Sequence, residues 1–114
     1  MQVSDYQVMA TRTAKPETLE QGLFHASLGL AGEVGELCDA VKKHLVYGQK
    51  ADIENIIEEL GDVAWYLAYF SEKVGVSLET VMRLNIEKLA KRYPEQYTDE
   101  LAGLRLDKEA DDGC

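Results

Sequence analysis

Cysteine and proline are scarce in this 114-residue chain, at two each. No apolar run approaches the ~20 residues that a bilayer span requires, so no membrane partner is expected. Two cysteines, Cys38 and Cys114, make no disulfide framework, and a reducing, cytoplasmic setting is expected. Nine glycines without a period exclude a collagen-like chain. Residues 1–12 contain no apolar h-region, and no secretory leader is expected. Cations are also few: 12 Lys and Arg stand against 21 Asp and Glu, a formal net charge of −9. Nucleic-acid binding without regard to sequence relies on clustered Lys and Arg, so no nucleic-acid partner is expected.

What remains is an ordinary globular composition, 46% hydrophobic and 29% charged, in a chain long enough for one domain. Helical signals recur and strand signals do not. The predicted class is all-α, a four-helix antiparallel bundle-type subunit. The first helix is expected from Asp5 to Ala14, with Ser4 as N-cap and Gln7 completing a capping box. The second runs from Leu19 to Tyr47 behind a Thr18/Gln21 capping box, with Gly48 beyond its end. Each of its four internal glycines costs about 1 kcal/mol against Ala, so its early part is expected to be irregular. The third runs from Ile53 to Val74 between Asp52 and Gly75, and the fourth from Ser77 to Tyr93, stopped by Pro94. Residues 1–97 are thus read as the helical domain and 98–114 as an acidic tail, expected to be flexible.

The third helix is apolar nearly all round, through Ile53, Ile56, Ile57, Leu60, Val63, Leu67 and Phe70 with Trp65, Tyr66 and Tyr69. Such a helix is buried on more than one side. A homo-oligomer, dimer or tetramer, is therefore expected to share this surface. Cys38 is expected to pack as a small core residue.

Five acid-x-x-acid pairs occur, and composition alone yields roughly four, so their number says nothing. Context separates two of them. Glu33/Glu36 and Glu59/Asp62 sit among apolar residues and glycines, with no Lys or Arg between Lys15 and Lys42 or between Lys50 and Lys73. Residues three apart share a helix face, and like charges there repel unless compensated. A divalent cation compensates both pairs at once. All-carboxylate ligation favours Mg²⁺ or Mn²⁺, and the absence of Glu-x-x-His argues against a di-iron centre. A short connection makes helices two and three antiparallel neighbours, with the two pairs offset by about one turn.

Two stripes extend the pattern: His25, Gly29, Glu33, Glu36, Ala40 and Lys43 on the second helix, and Asn55, Glu59, Asp62, Tyr66 and Tyr69 on the third. Gly29 and Ala40 are expected to leave space beside the carboxylates. The fourth helix adds Asn85, Lys88 and Arg92. Metal flanked by cations suits a polyphosphate. Taken singly, Lys43, Lys88 and Arg92 read equally well as solvated cations, and His25 as an ordinary partly buried histidine.

Together these residues are recognisable. Gly29–Lys43 (GLAGEVGELCDAVKK), Glu58–Leu67 (EELGDVAWYL) and Asn85–Pro94 (NIEKLAKRYP) resemble the MazG-like all-α nucleoside triphosphate pyrophosphohydrolases. The opening Tyr6 and Ala10-Thr11-Arg12-Thr13 are similar to small stand-alone members. The resemblance implies an oligomeric helical bundle that cleaves a nucleoside or deoxynucleoside triphosphate to monophosphate and pyrophosphate with Mg²⁺. It implies metal-binding and catalytic roles for Glu33, Glu36, Glu59 and Asp62. It places Asn85, Lys88, Arg92 and Tyr93 on the phosphates; from the stripe on the second helix, Lys43 is expected on the pyrophosphate and His25 on the substrate as well. The base is expected near His25, with Phe24 or Trp65 as stacking partner. Many members carry a Glu where this chain has Gly32, which leaves the general base open between a metal-site Glu and Glu58. The rival reading is a non-catalytic helical oligomer that binds a nucleotide or a protein.

Overall fold

The computed structural model describes residues 1–108, and the last six residues of the expected tail, Cys114 among them, lie outside that range. Five α-helices are present and no strand among the described residues: α1 (Val3–Thr11), α2 (Leu19–Leu45), α3 (Ile53–Lys73), α4 (Leu78–Arg92) and α5 (Asp99–Leu104). No helix among the described residues is long and apolar enough to cross a membrane.

Local chemistry sets most of the helix ends. At α2 the Gln21 amide donates to Thr18 Oγ1 and the Thr18 amide to Gln21 Oε1, the reciprocal capping box. At α3 the Asn55 amide donates to Asp52 Oδ1. The same helix ends in a Schellman motif. The amides of Gly75 and Val76 donate to the carbonyls of Glu72 and Ser71, and Gly75 takes φ +84°. The helix α1 starts earlier than its sequence suggests. Gln2 is the N-cap, its amide donating to Asp5 Oδ2, and Ser4 lies inside the helix. Asp5 outcompetes Gln7 for this task because an ionised carboxylate is the stronger acceptor. Beyond Pro94 the chain forms α5, capped by Thr98 Oγ1 accepting from the Leu101 amide.

Despite its glycines, α2 is one continuous helix of 27 residues. Packing offsets their propensity cost. A Cβ on Gly22 would stand 2.6 Å from Lys73 Cδ, and one on Gly29 would overlap the Tyr66 ring. The glycines let α3 side chains lie directly on the α2 backbone. Gly22 meets Lys73 and Gly29 meets Tyr66, so the two helices run antiparallel. The Cβ side of Gly29, expected to leave space, is therefore filled by Tyr66.

The chain packs as two compact units, Met1–Leu78 and a second that begins at Glu79. Leu78 closes the first unit because it is tied to α1. Its side chain is 4% exposed and its amide donates to Gln7 Oε1. Gln7 Nε2 in turn donates to the Ala68 carbonyl, so one side chain on α1 holds both α3 and the start of α4. The core of the first unit is small: Ala26, Ala40, Ala68, Tyr69 and Leu78. Cys38 is exposed and free, contrary to the core position expected for it. It lies at helical spacing with the exposed Val34, Val41 and Leu45. On α3, Ile53, Ile57, Leu60 and Leu67 are 40–62% exposed.

Candidate functional site

The stripes on α2 and α3 face each other. Glu33, from the middle of α2, meets Glu59 and Asp62 of α3, and one carboxylate oxygen from each lies within 4.8 Å of the others. Glu33 and Glu59 are half-buried and Asp62 is exposed. Glu33 Oε2 and Glu59 Oε2 are shielded from solvent and have no hydrogen-bond partner. Three acids so placed repel, and the Glu59 carboxyl is pushed above its ordinary value. The main cause is the Glu33 carboxylate, which can accept a hydrogen bond only from a protonated Glu59. Burial and the charges of Glu33 and Asp62 add to this, while Glu36 opposes it.

Glu36 is outside the tight trio. It lines an adjoining cavity of about 460 Å³ together with Glu59, Ala40, Lys43 and Asn55. Lys43 is held there by Asp39 at 3.2 Å. Sequence spacing gave no sign of Tyr6, whose phenol is raised first by burial and then by the Asp62 charge, which sets α1 beside the acidic trio.

Two turns from Glu33 toward the start of α2, His25 Nδ1 lies 2.7 Å from Glu17 Oε1. The same oxygen accepts from Tyr69 OH at 2.7 Å, and Lys73 Nζ donates to the Glu17 carbonyl. The Glu17 carboxyl is lowered by the Tyr69 hydrogen bond first and the His25 bond second. His25 packs against Tyr66 edge-on, with Trp65 and Tyr69 close by. Trp65 is fully engaged: its indole N–H donates to the Ala10 carbonyl and Thr13 Oγ1, and its ring stacks on Tyr69. Glu17 was not singled out from sequence, since a loop acid eight positions before a histidine has no helical relationship to it.

The second unit carries the remaining candidates. Arg92 Nε lies 3.1 Å from Asp107 Oδ1, a close ion pair without hydrogen-bond alignment. The Arg92 guanidinium also lies over the Tyr93 ring. Lys88 borders a cavity of about 260 Å³ with Lys91, Asp107 and Lys108, and Asn85 is exposed.

The family model of the MazG nucleotide pyrophosphohydrolase domain matches residues 21–97. The chain belongs to this MazG family. The matched span takes in all but the first two residues of α2 and the whole of α3 and α4, and with them every acid of the two pairs and the α4 residues. The Gene 37 protein of Mycobacterium phage L5 is 37% identical over 103 residues, covering 81% of this chain and 89% of the relative. The uncharacterized protein YvdC of Bacillus subtilis (strain 168) is 37% identical over 83 residues, covering 65% of this chain and 78% of the relative. No solved structure matches significantly. The MazG domain model begins after Glu17, so the residue that anchors His25 lies outside the matched span.

Proposed function

We propose that this MazG protein hydrolyses a nucleoside or deoxynucleoside triphosphate at the α-phosphorus, releasing the monophosphate and pyrophosphate. The observation that carries this reading is the pair of shielded, partnerless oxygens on Glu33 and Glu59, with Asp62 beside them. Buried carboxylate oxygens require a donor or a cation, and apart from a proton shared between Glu33 and Glu59 themselves these two oxygens have no hydrogen-bond partner. The donor set is oxygen only, which fits Mg²⁺ or Mn²⁺. Glu33, Glu59 and Asp62 would hold the ion, with Glu36 at the edge of the same site. An ion there neutralises polyphosphate charge and acidifies water.

The protein groups around it have separate tasks. Lys43 and Asn55 line the adjoining cavity and supply a positive charge and amide donors to phosphate oxygens. Glu36 or Glu58 takes the proton of the attacking water, since position 32 is glycine. The phosphate-side roles of Asn85, Lys88, Arg92 and Tyr93 belong to the same proposal. A second copy of the chain covers the exposed apolar stripes of α2 and α3, giving a homodimer or homotetramer. The setting is cytoplasmic, where nucleoside triphosphates are abundant and a free Cys38 stays reduced.

Incubation with the eight common ribo- and deoxyribonucleoside triphosphates, with and without Mg²⁺, tests the reading. Mg²⁺-dependent release of pyrophosphate from at least one is expected. Release from none, with the chain folded, refutes it.

A further inference from the structure

The second unit pairs a residue placed on the substrate's phosphates with one that has no role assigned from sequence. Arg92 Nε lies 3.1 Å from Asp107 Oδ1, and the two side chains are only 20% and 5% exposed. Asp107 falls beyond the span that the MazG model matches, and Arg92 falls within it. Acids of a charged terminal segment normally point into water. This one is turned inward. The helix α5 ends at Arg105, whose φ of +51° is left-handed. The Lys108 amide donates to the Arg105 carbonyl, so the chain bends in a tight turn that sets Asp107 against α4.

A guanidinium recognises carboxylate and phosphate by the same means, paired N–H donors in one plane. Asp107 is therefore a chemical stand-in for a phosphate group. It is an imperfect one. Nε and Oδ1 are shielded from solvent, and neither makes an aligned hydrogen bond. The contact between them is Coulombic and leaves the Nε donor unused. Lys88, Lys91 and Lys108 border one cavity with Asp107, so a phosphate arriving there meets three further cations. It carries more charge than the carboxylate and gains more from the same cluster. Arg105 also holds a conformation that non-glycine residues adopt at a cost, and release of the turn relieves it.

We propose that Asp107 closes Arg92 against phosphate, and that the polyphosphate of the substrate must displace this carboxylate to bind. Residues 105–108 are then a strap that weakens phosphate binding in proportion to the fraction of molecules in which it is closed. The proposal rests on the triphosphate reading above, because that reading puts Arg92 on the phosphates.

Inorganic pyrophosphate in EDTA tests the strap by itself, since only the protein's cations then hold the ligand. The full chain and its variants are titrated by calorimetry. Asp107→Asn keeps the shape and removes the charge, and should bind pyrophosphate about tenfold more tightly than the parent. Asp107→Glu should stay near the parent. Glu100→Gln removes the same charge from an exposed position of α5 and should shift affinity by less than about twofold. The gain should vanish when Arg92→Ala is added to Asp107→Asn. A turn that loosens in Asp107→Asn frees Arg92 all the same, so local rearrangement does not mask the result. Unchanged, weaker or undetectable pyrophosphate binding in Asp107→Asn overturns the proposal. So does equal tightening in Glu100→Gln, or a gain that survives Arg92→Ala. If triphosphates are hydrolysed while pyrophosphate binding ignores Asp107, the strap falls and the hydrolase reading stands. The expected pyrophosphate pattern without hydrolysis of any triphosphate supports the strap and defeats the hydrolase reading instead.

Discussion

The phenol of Tyr69 donates to the carboxylate of Glu17 at 2.7 Å across 52 residues of sequence. The ring is almost wholly buried, at 2% exposure, and its hydroxyl needs this partner. Tyr69→Phe removes one hydrogen bond and keeps the packing. It should cost about 1 kcal/mol and lower Tm by roughly 4 °C near neutral pH. The pH dependence has a definite sign. Burial first, then the hydrogen bond to Glu17, push the Tyr69 phenol from 10.0 up to about 12. Its contribution is complete below pH 10 and is lost as pH rises toward 12, because the unfolded chain gives up the proton first. Thermal melts of both proteins from pH 7 to 12 check this: the gap should hold to about pH 10 and then narrow.

Glu59→Gln should abolish pyrophosphate release while leaving the fold at least as stable. Glu59 is crowded by like charge, so the neutral amide relieves repulsion at that point. The discriminating measurement is Tm with and without millimolar Mg²⁺. An ion that binds only the folded chain raises Tm of the parent protein. That increment should vanish in Glu59→Gln and in the parent treated with EDTA.

Most helix ends and the acidic face were legible because both depend on spacings of three or four residues; the start of α1 was not, since Gln2 and Asp5 cap it in place of Ser4 and Gln7. Thr18, Asp52, Gly75 and Pro94 each act on the backbone within one turn, so their effect shows in the letters. The meeting of Glu33 with Glu59 and Asp62 follows from two short-period stripes and one short connection. What sequence did not show is long-range. Gln7 bonding to Ala68 and Leu78, Glu17 bonding to Tyr69, and Tyr66 resting on Gly29 join residues far apart with no repeating interval. Glycines in α2 were therefore read as weak points, whereas Gly22 and Gly29 are seats for side chains of α3.

Gly29 and Gly32 make a paired test of that conclusion. A Cβ at Gly29 would overlap the Tyr66 ring, which is itself hemmed in by His25 and Trp65. Gly29→Ala should destabilise by about 1–3 kcal/mol, overpacking outweighing the helix-propensity gain. At Gly32 a Cβ would meet nothing within 4 Å. Gly32→Ala should stabilise by up to about 1 kcal/mol. Urea unfolding followed by circular dichroism reads both, and equal effects at the two sites would show that Tyr66 does not rest on Gly29.

The apolar stripes make the last prediction. Ile57 is 62% exposed and Leu60 51%, on the same helix that supplies Glu59 and Asp62, while the buried hydrophobic set among the described residues is only Ala26, Ala40, Ala68, Tyr69 and Leu78. So small a core is marginal for a domain of this length, and the proposed second copy, covering the stripe, would supply the missing burial. Sedimentation equilibrium should give a dimer or tetramer mass. Ile57→Asp should shift it toward monomer and lower Tm, since a carboxylate would then be buried in an apolar contact. A parent protein that sediments as a stable monomer at micromolar concentration would mean that these side chains face water, and the oligomer would have to be abandoned.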